Sequence, residues 1–272
     1  MKRYGRWSIV ISLVTALLLW GSVIRLTNFP AFILPSPAQV ALRFLEALFD
    51  GSLLRHAGYT LLEVILGLVI GSSLATLLGY LLAKSTTLER LLSPYLVASQ
   101  AIPTVAIAPL LVIWFGSGMF SKILICALIV FFPVLVNTVV GMRSVPKELR
   151  DLMTSLRATR GQVLRHLEIP AALPILFGGL RVGATLSVIG AVVGEFVGAD
   201  RGLGFVINVG RGQYDTALVF VAIFTLIAMA LMLYGLVVWI EKRALSWQKE
   251  SDSKPAHRTH KALDSNQKKV FP

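Results

Sequence analysis

Apolar residues in this chain gather in blocks rather than alternating with polar ones. Six blocks, 7–24, 58–83, 95–115, 123–142, 177–197 and 217–240, each approach the 20 or so mainly apolar residues that a helix needs to cross a bilayer. The stretch between the fourth and fifth blocks has a different pattern. Leu149, Leu152, Met153 and Leu156 recur at i, i+3, i+4 and i+7, which puts one apolar face on a charged helix. Thr159 followed by Gln162 reads as a capping box that opens a second short helix carrying Val163, Leu164 and Leu167. Pro170 and Pro174 are expected to end regular helix there.

Two further connections have structure of their own. In 25–57, Pro35-Ser36-Pro37 precedes Val40, Ala41, Phe44, Leu45 and Leu48, which predicts a helix lying at the membrane interface on one apolar face. In 198–216, Gly202, Gly204, Gly210 and Gly212 predict a re-entrant or tightly turned backbone covered by protein. Residues 1–247 thus read as one membrane domain. Residues 248–272 are polar and without apolar periodicity, and are expected to be a disordered basic tail.

Composition narrows the class. The 272 residues are 56% hydrophobic and 15% charged, with mean hydropathy +0.75 and pI ≈ 10.2. The basic residues lie between apolar blocks, not along a soluble face, so the charge reflects the positive-inside bias and not nucleic-acid binding. With the N-terminus inside, the inner segments carry 20 Lys and Arg and the outer ones 6. That split predicts six crossings with both termini and residues 143–176 in the cytoplasm. Lys2, Arg3 and Arg6 before the first block resemble a signal peptide, but no small-x-small cleavage site follows, so a retained anchor is expected. A single cysteine, Cys126, rules out an intramolecular disulfide.

Candidate chemistry is sparse. The four histidines are scattered, GxxxxGK[ST] and GxSxG are absent, and no catalytic set converges, so neither a metal site nor ATP binding is expected of this chain. Glu63 falls about 9 Å into the second block at 1.5 Å per residue. It reads either as a shallow carboxylate satisfied by a partner such as His56 or as a pathway residue. Glu195 closes the fifth block, with a gating or packing role, and Arg201 or Arg211 as a possible ion-pair partner. A fixed carboxylate near the outer mouth would disfavour small anions. Gln100, Thr104, Asn137, Ser187 and Asn208 suit interhelical hydrogen bonds, and Gln100, Thr104 and Glu195 are the first candidates for a translocation path. Pro103, Pro109 and Pro133 should kink the third and fourth spans. Gly67 and Gly71 permit close helix approach within or between subunits.

The segment 148–174 resembles the EAA loop of ABC-importer permeases, which docks on an ATPase. Asp151 holds the acid position, Leu152 and Met153 replace two alanines, Ala158-Thr159-Arg160 covers most of the turn, and Ile169-Pro170 begins the ending that closes at Pro174. Arg157 stands where the family has glycine, a position that favours φ > 0. Leu34-Pro35-Ser36-Pro37, the run from Ile102-Pro103 to Gly116 and Gly202-Leu203-Gly204 resemble the nitrate/sulfonate/taurine-type branch. The run from Glu195 to Gly204, with Tyr214 to Ala217, looks more like the subgroup handling riboflavin or thiamine pyrimidines. The resemblance implies an all-α, six-span type I permease in a bacterial cytoplasmic membrane. It would work as a homodimer with a separate ATPase and an extracytoplasmic substrate-binding protein, Asp151, Leu152, Met153, Leu156, Ala158, Thr159, Arg160, Ile169 and Pro170 forming the coupling surface. A small-anion importer is the alternative. A secondary transporter would show more buried ionisable groups and repeat symmetry, and an intramembrane enzyme would show convergent catalytic groups.

Overall fold

Close backbone approach along one seam organises the molecule. The computed structural model describes residues 4–27, 29–101 and 103–246, and every regular element in them is helical. Helix α3 (Ser52–Lys84) turns Gly67, Gly71, Ala75 and Gly79, spaced four apart, onto α6 (Met119–Arg143). A Cβ at Gly67 would lie 2.2 Å from Cys126 Cβ, and one at Gly71 would lie 2.5 Å from the Ala127 carbonyl oxygen. On the other side of α6, a Cβ at Gly190 of α9 (Ile169–Gly198) would come within 2.9 Å of the Cys126 Cα. Helix α6 is therefore pressed between α3 and α9. Small residues suit this seam because lipid supplies no hydrophobic drive between helices, so dispersion at close range must hold them. The Gly67/Gly71 pair thus marks a contact within one chain.

Four helices, Ser52–Lys84, Met119–Arg143, Arg160–Gly198 and Thr216–Ala244, are long and apolar enough to cross a membrane. The expected third span, 95–115, is not one rod. It falls on two helices, α4 (Thr86–Gln100) and α5 (Thr104–Phe115), whose stretches Thr86–Ser99 and Thr104–Phe115 are bent by 92°. Pro103 sits at the break with extended backbone (φ −62°, ψ 115°), where it cannot donate a helical hydrogen bond. Counting that bent pair as one gives five spans. Helix α1 (Tyr4–Thr27) covers the expected first span, with Val14–Thr27 as its apolar helical part. Its Trp20 stacks on Phe220 of α11 (Thr216–Ala244), ring centroids 5.2 Å apart.

Helix α2 (Pro37–Phe49) opens on a capping box between Ser36 and Gln39. Part of its expected apolar face is turned inward and part outward. Val40 and Ala47 are buried, whereas Ala41, Phe44 and Leu45 are exposed. Val40, Arg43 and Ala47 share one side. Arg43 is paired at 2.8 Å with Asp215, the N-cap of α11, and that bond sets the rotation of α2.

The glycine-rich stretch 198–216 is also mostly helix, not tight turn: α10 spans Leu203–Gly212 behind a left-handed Gly202 (φ 104°). Pro170 and Pro174 do not end helix either, since the rod runs from Arg160 through both to Gly198. A π turn at Leu164–Glu168, in which the Ile169 N–H reaches back to the Leu164 carbonyl, shifts the preceding carbonyls so that Pro170 fits at the start of α9. The expected tail, 248–272, lies outside the described residues.

Candidate functional site

Two assemblies of polar side chains stand out, one at each end of the helical seam. The first is the loop between α6 and α9. Helix α7 (Lys147–Ser155) buries none of its residues. Its apolar face faces outward, with Leu149 44%, Leu152 54% and Leu156 69% exposed. Asp151 is exposed on the same helix, while Met153 is half-buried.

The helix ends in a Schellman motif. Ala158 N–H bonds the Met153 carbonyl (3.0 Å) and Arg157 N–H bonds the Thr154 carbonyl (2.9 Å), with Arg157 left-handed at φ 53°. The glycine-type geometry expected at this position is therefore present and is held by arginine, at a cost of about 1–2 kcal/mol for the Cβ. Thr159 then caps α8 (Arg160–Val163) in the expected capping box with Gln162. Arg160 is exposed, Ala158 and Pro170 are half-buried and Ile169 is 43% exposed. Of the nine residues assigned to the loop from the sequence, Asp151 to Arg160 fall on α7 and the turn after it, while Ile169 and Pro170 open α9.

Ion pairs fix its two feet. Arg143, at the end of α6, grips both Glu89 oxygens (2.7 and 2.6 Å) and the Leu82 carbonyl (3.3 Å). Glu168, 2% exposed in the π turn, receives Lys84 Nζ at 2.6 Å on both oxygens. Between the feet a Cβ at Gly141 would sit 3.0 Å from the Ala172 carbonyl oxygen, so α6 and α9 cannot slide freely there. The loop is tied to α3 and α4.

The second assembly surrounds Glu195, which is fully buried. It accepts hydrogen bonds from the Thr60 hydroxyl (2.7 Å) and from Gly204 N–H. Thr60 in turn accepts from Leu203 N–H (2.8 Å), and His56 Nδ1 accepts from Gly202 N–H (3.1 Å). Gly202-Leu203-Gly204 is thus a cradle for a carboxylate: a Cβ at Gly202 would lie 2.1 Å from Glu195 Oε1, and one at Gly204 2.8 Å from Oε2. Glu63, 4% exposed, lies against Glu195 with its Oε2 unbonded. The nearby Lys122 is 3% exposed and donates to the Ser117 and Gly118 carbonyls.

This geometry corrects two expectations. His56 serves the backbone of Gly202 and not Glu63, because the Gly202 turn brings an unpaired N–H to its ring. Glu195 pairs with neither Arg201 nor Arg211, and being sealed from the surface it cannot set the charge of an open mouth. Thr104, half-buried at the head of α5, takes no part in the hydrogen bonds around Glu195, and the side chain of Gln100 lies outside the described residues. Sequence reasoning missed Lys84, Glu168 and Lys122. Glu168 carried a faint signal, since it falls four residues after Leu164 on the apolar side of the second short helix.

An exposed amphipathic helix is thus held between two long apolar rods. The sequence profile of the binding-protein-dependent transport system inner membrane component family matches residues 67–246, beginning at the first glycine of the seam. The chain belongs to that family.

Relatives of this permease include the riboflavin transport system permease protein RibX of Chloroflexus aurantiacus, 48% identical over 88% of this chain and 89% of its own. The formylaminopyrimidine transport permease protein ThiX of Halalkalibacterium halodurans is 35% identical over 86% and 93%. The taurine transport system permease protein TauC of Escherichia coli is 32% identical over 88% and 89%. In fold, the permease resembles a chain of the MetNI methionine ABC transporter in an inward-facing conformation, with TM-score 0.59, 20% identity and coverage of 73% of this chain and 96% of that one. These relatives are transport subunits and not enzymes. Among the described residues no group of His, Cys, Asp or Glu could hold a metal ion.

Proposed function

We infer that this permease forms the channel of an ATP-driven importer as a homodimer in the bacterial inner membrane, with six crossings and both termini in the cytoplasm. A separate ATPase subunit, which alone binds ATP, grips α7 and the turn that follows it. An extracytoplasmic binding protein delivers the solute to the opposite face. The observation that carries this reading is the outward apolar face of α7, exposed at Leu149, Leu152 and Leu156 on a helix that buries nothing of its own. Three apolar side chains left in water cost stability unless a partner covers them. The 20-to-6 charge split supports a cytoplasmic position for that face.

The mechanism is alternating access. ATP-bound closure of the ATPases must favour one permease conformation over the other, or nothing shifts. Movement of α7 reaches the seam helices through Arg143–Glu89 and Glu168–Lys84.

The solute proposed is a vitamin-like heterocycle, riboflavin or a thiamine pyrimidine, supported by the 48% and 35% identities to RibX and ThiX. The 32% identity to TauC keeps small sulfonates and related anions as the second reading. Uptake of labelled riboflavin, formylaminopyrimidine, taurine and nitrate by an auxotrophic host carrying the whole operon separates them. Accumulation of the anions alone overturns the heterocycle reading.

A further inference from the structure

One face of α3 carries hydroxyl groups at a depth where a membrane helix ordinarily carries none without a partner. Ser72, Ser73 and Thr76 lie near the middle of this 33-residue helix, with Tyr80 one turn beyond. Ser72 donates back to the Val69 carbonyl (3.3 Å), but Ser73, Thr76 and Tyr80 hydroxyls have no hydrogen-bond partner among the described residues. Hydroxyls left unpaired in hydrocarbon are costly, so this face needs water, a second chain or a solute against it.

The surface there is concave. One cleft of about 540 Å³ is lined by Ser72, Ser73, Thr76 and Tyr80 across from Leu164 and Leu180, and it meets a second of about 550 Å³ at Tyr80. The second cleft opens beside the α7–α8 turn and is lined by Lys84, Thr154 and Arg160. Each is within the range of about 300–1,000 Å³ typical of small-molecule sites. The groove therefore runs from mid-span to the coupling loop; its mid-span half is lined by hydroxyls, a phenol and apolar side chains, and its charged groups, Lys84 and Arg160, lie in the half beside the loop.

Resting on the reading of the chain as a permease, we propose that this groove is the inner half of the solute path, with Ser73, Thr76 and Tyr80 as its contact groups for an uncharged, hydrogen-bonding planar solute. The charge pattern selects that class. Lys84 is neutralised by Glu168 at 2.6 Å, so among the described residues the one unpaired cation lining the two clefts, Arg160, stands at the cytoplasmic loop end, and none lines the mid-span stretch from Ser72 to Tyr80. A neutral heterocycle can stack on the Tyr80 ring and exchange hydrogen bonds with the hydroxyls as it leaves. The groove lies on α3, apart from the Glu195 cluster, which is closed by its own hydrogen bonds.

Two measurements test it. Ser73→Cys and Thr76→Cys in a Cys126→Ala background are treated with a membrane-impermeant thiol reagent in inside-out vesicles holding the assembled complex, with riboflavin as the added solute. Labelling at both positions, slowed by riboflavin, is expected. Absence of labelling means the face meets lipid or another chain and overturns the proposal. Separately, Thr76→Val with Tyr80→Leu should lower riboflavin uptake at least tenfold while the complex assembles and binding-protein-stimulated ATP hydrolysis continues. Unchanged uptake, or loss of assembly, overturns it. If the wild-type complex moves only anions, the solute reading under Proposed function fails, while the labelling result still decides whether the groove is wet.

Discussion

Alanine at Gly202 should be far more damaging than its small size suggests. The backbone there (φ 104°, ψ 169°) is a region almost reserved for glycine, so any side chain costs about 1–3 kcal/mol. The new Cβ would also lie 2.1 Å from Glu195 Oε1, which forces the buried carboxylate off the Thr60 hydroxyl or the Gly204 N–H. Each buried polar group orphaned in this way costs about 1–3 kcal/mol. Together these give a loss of about 4 kcal/mol, which is a large part of the 5–15 kcal/mol that typically holds a folded protein. The single cysteine, Cys126, is buried between Gly67 and Gly190, and a thiol-reactive dye in detergent reads unfolding through its exposure. Gly202→Ala should lower the melting midpoint by about 8–16 °C, at roughly 2–4 °C per kcal/mol. Gly212→Ala, where nothing lies within 4 Å, should match wild type. Adding Glu195→Ala to Gly202→Ala should cost less than the two single effects summed, because it removes the clashing group. A Gly202→Ala protein that melts with wild type would refute the cradle.

Arg157→Gly should leave uptake intact and stabilise the permease by up to about 1–2 kcal/mol by relieving the left-handed arginine, whereas the β-branched Arg157→Val should weaken assembly with the ATPase, as read by co-purification. Lys84→Met should cost about 3 kcal/mol by leaving Glu168 buried and unpaired, and Lys84→Met with Glu168→Leu should recover most of it; thermal midpoints of the four proteins decide, and no recovery would contradict a direct pair. Gly71→Leu should abolish folded, monodisperse protein on size exclusion, since even a Cβ would lie 2.5 Å from the Ala127 carbonyl oxygen. With Cys126→Ala as background, Leu54→Cys and Gly212→Cys should react with an impermeant thiol reagent in intact cells and Ser155→Cys should not; the reverse pattern would invert the topology.

What the sequence made legible follows from the range of the interactions involved. The capping box at Thr159 and Gln162, the apolar face of α7 and the left-handed position at Arg157 are local, each decided within one or two helical turns, and each lies where it was expected. Prolines were legible only in part. Pro103 breaks its span, but Pro170 and Pro174 sit inside a continuous rod because a π turn absorbs the first of them, and no residue type announces a π turn. Residues whose partners are distant in sequence were the hardest. Glu195 meets Thr60 across 135 positions and Lys84 meets Glu168 across 84, and nothing in the spacing of either pair points to the other. The rotation of α2 was hidden for the same reason, since Arg43 reaches Asp215, 172 positions away. Hydroxyls on α3 were passed over because single Ser and Thr residues are ordinary in membrane helices; only the shape of the surface beside them gives them weight.

The claim that α7 is the handle by which an ATPase drives this permease is tested most directly by Leu152→Glu, measured as ATP hydrolysis by the reconstituted complex with and without its loaded binding protein. Leu152 is 54% exposed and belongs to neither buried core cluster, so the variant should insert and melt as wild type does. A buried charge in the docked interface should then remove ATPase co-purification and abolish the stimulation by loaded binding protein. A Leu152→Glu permease that holds its ATPase and hydrolyses ATP on demand, at the wild-type rate, would contradict the account.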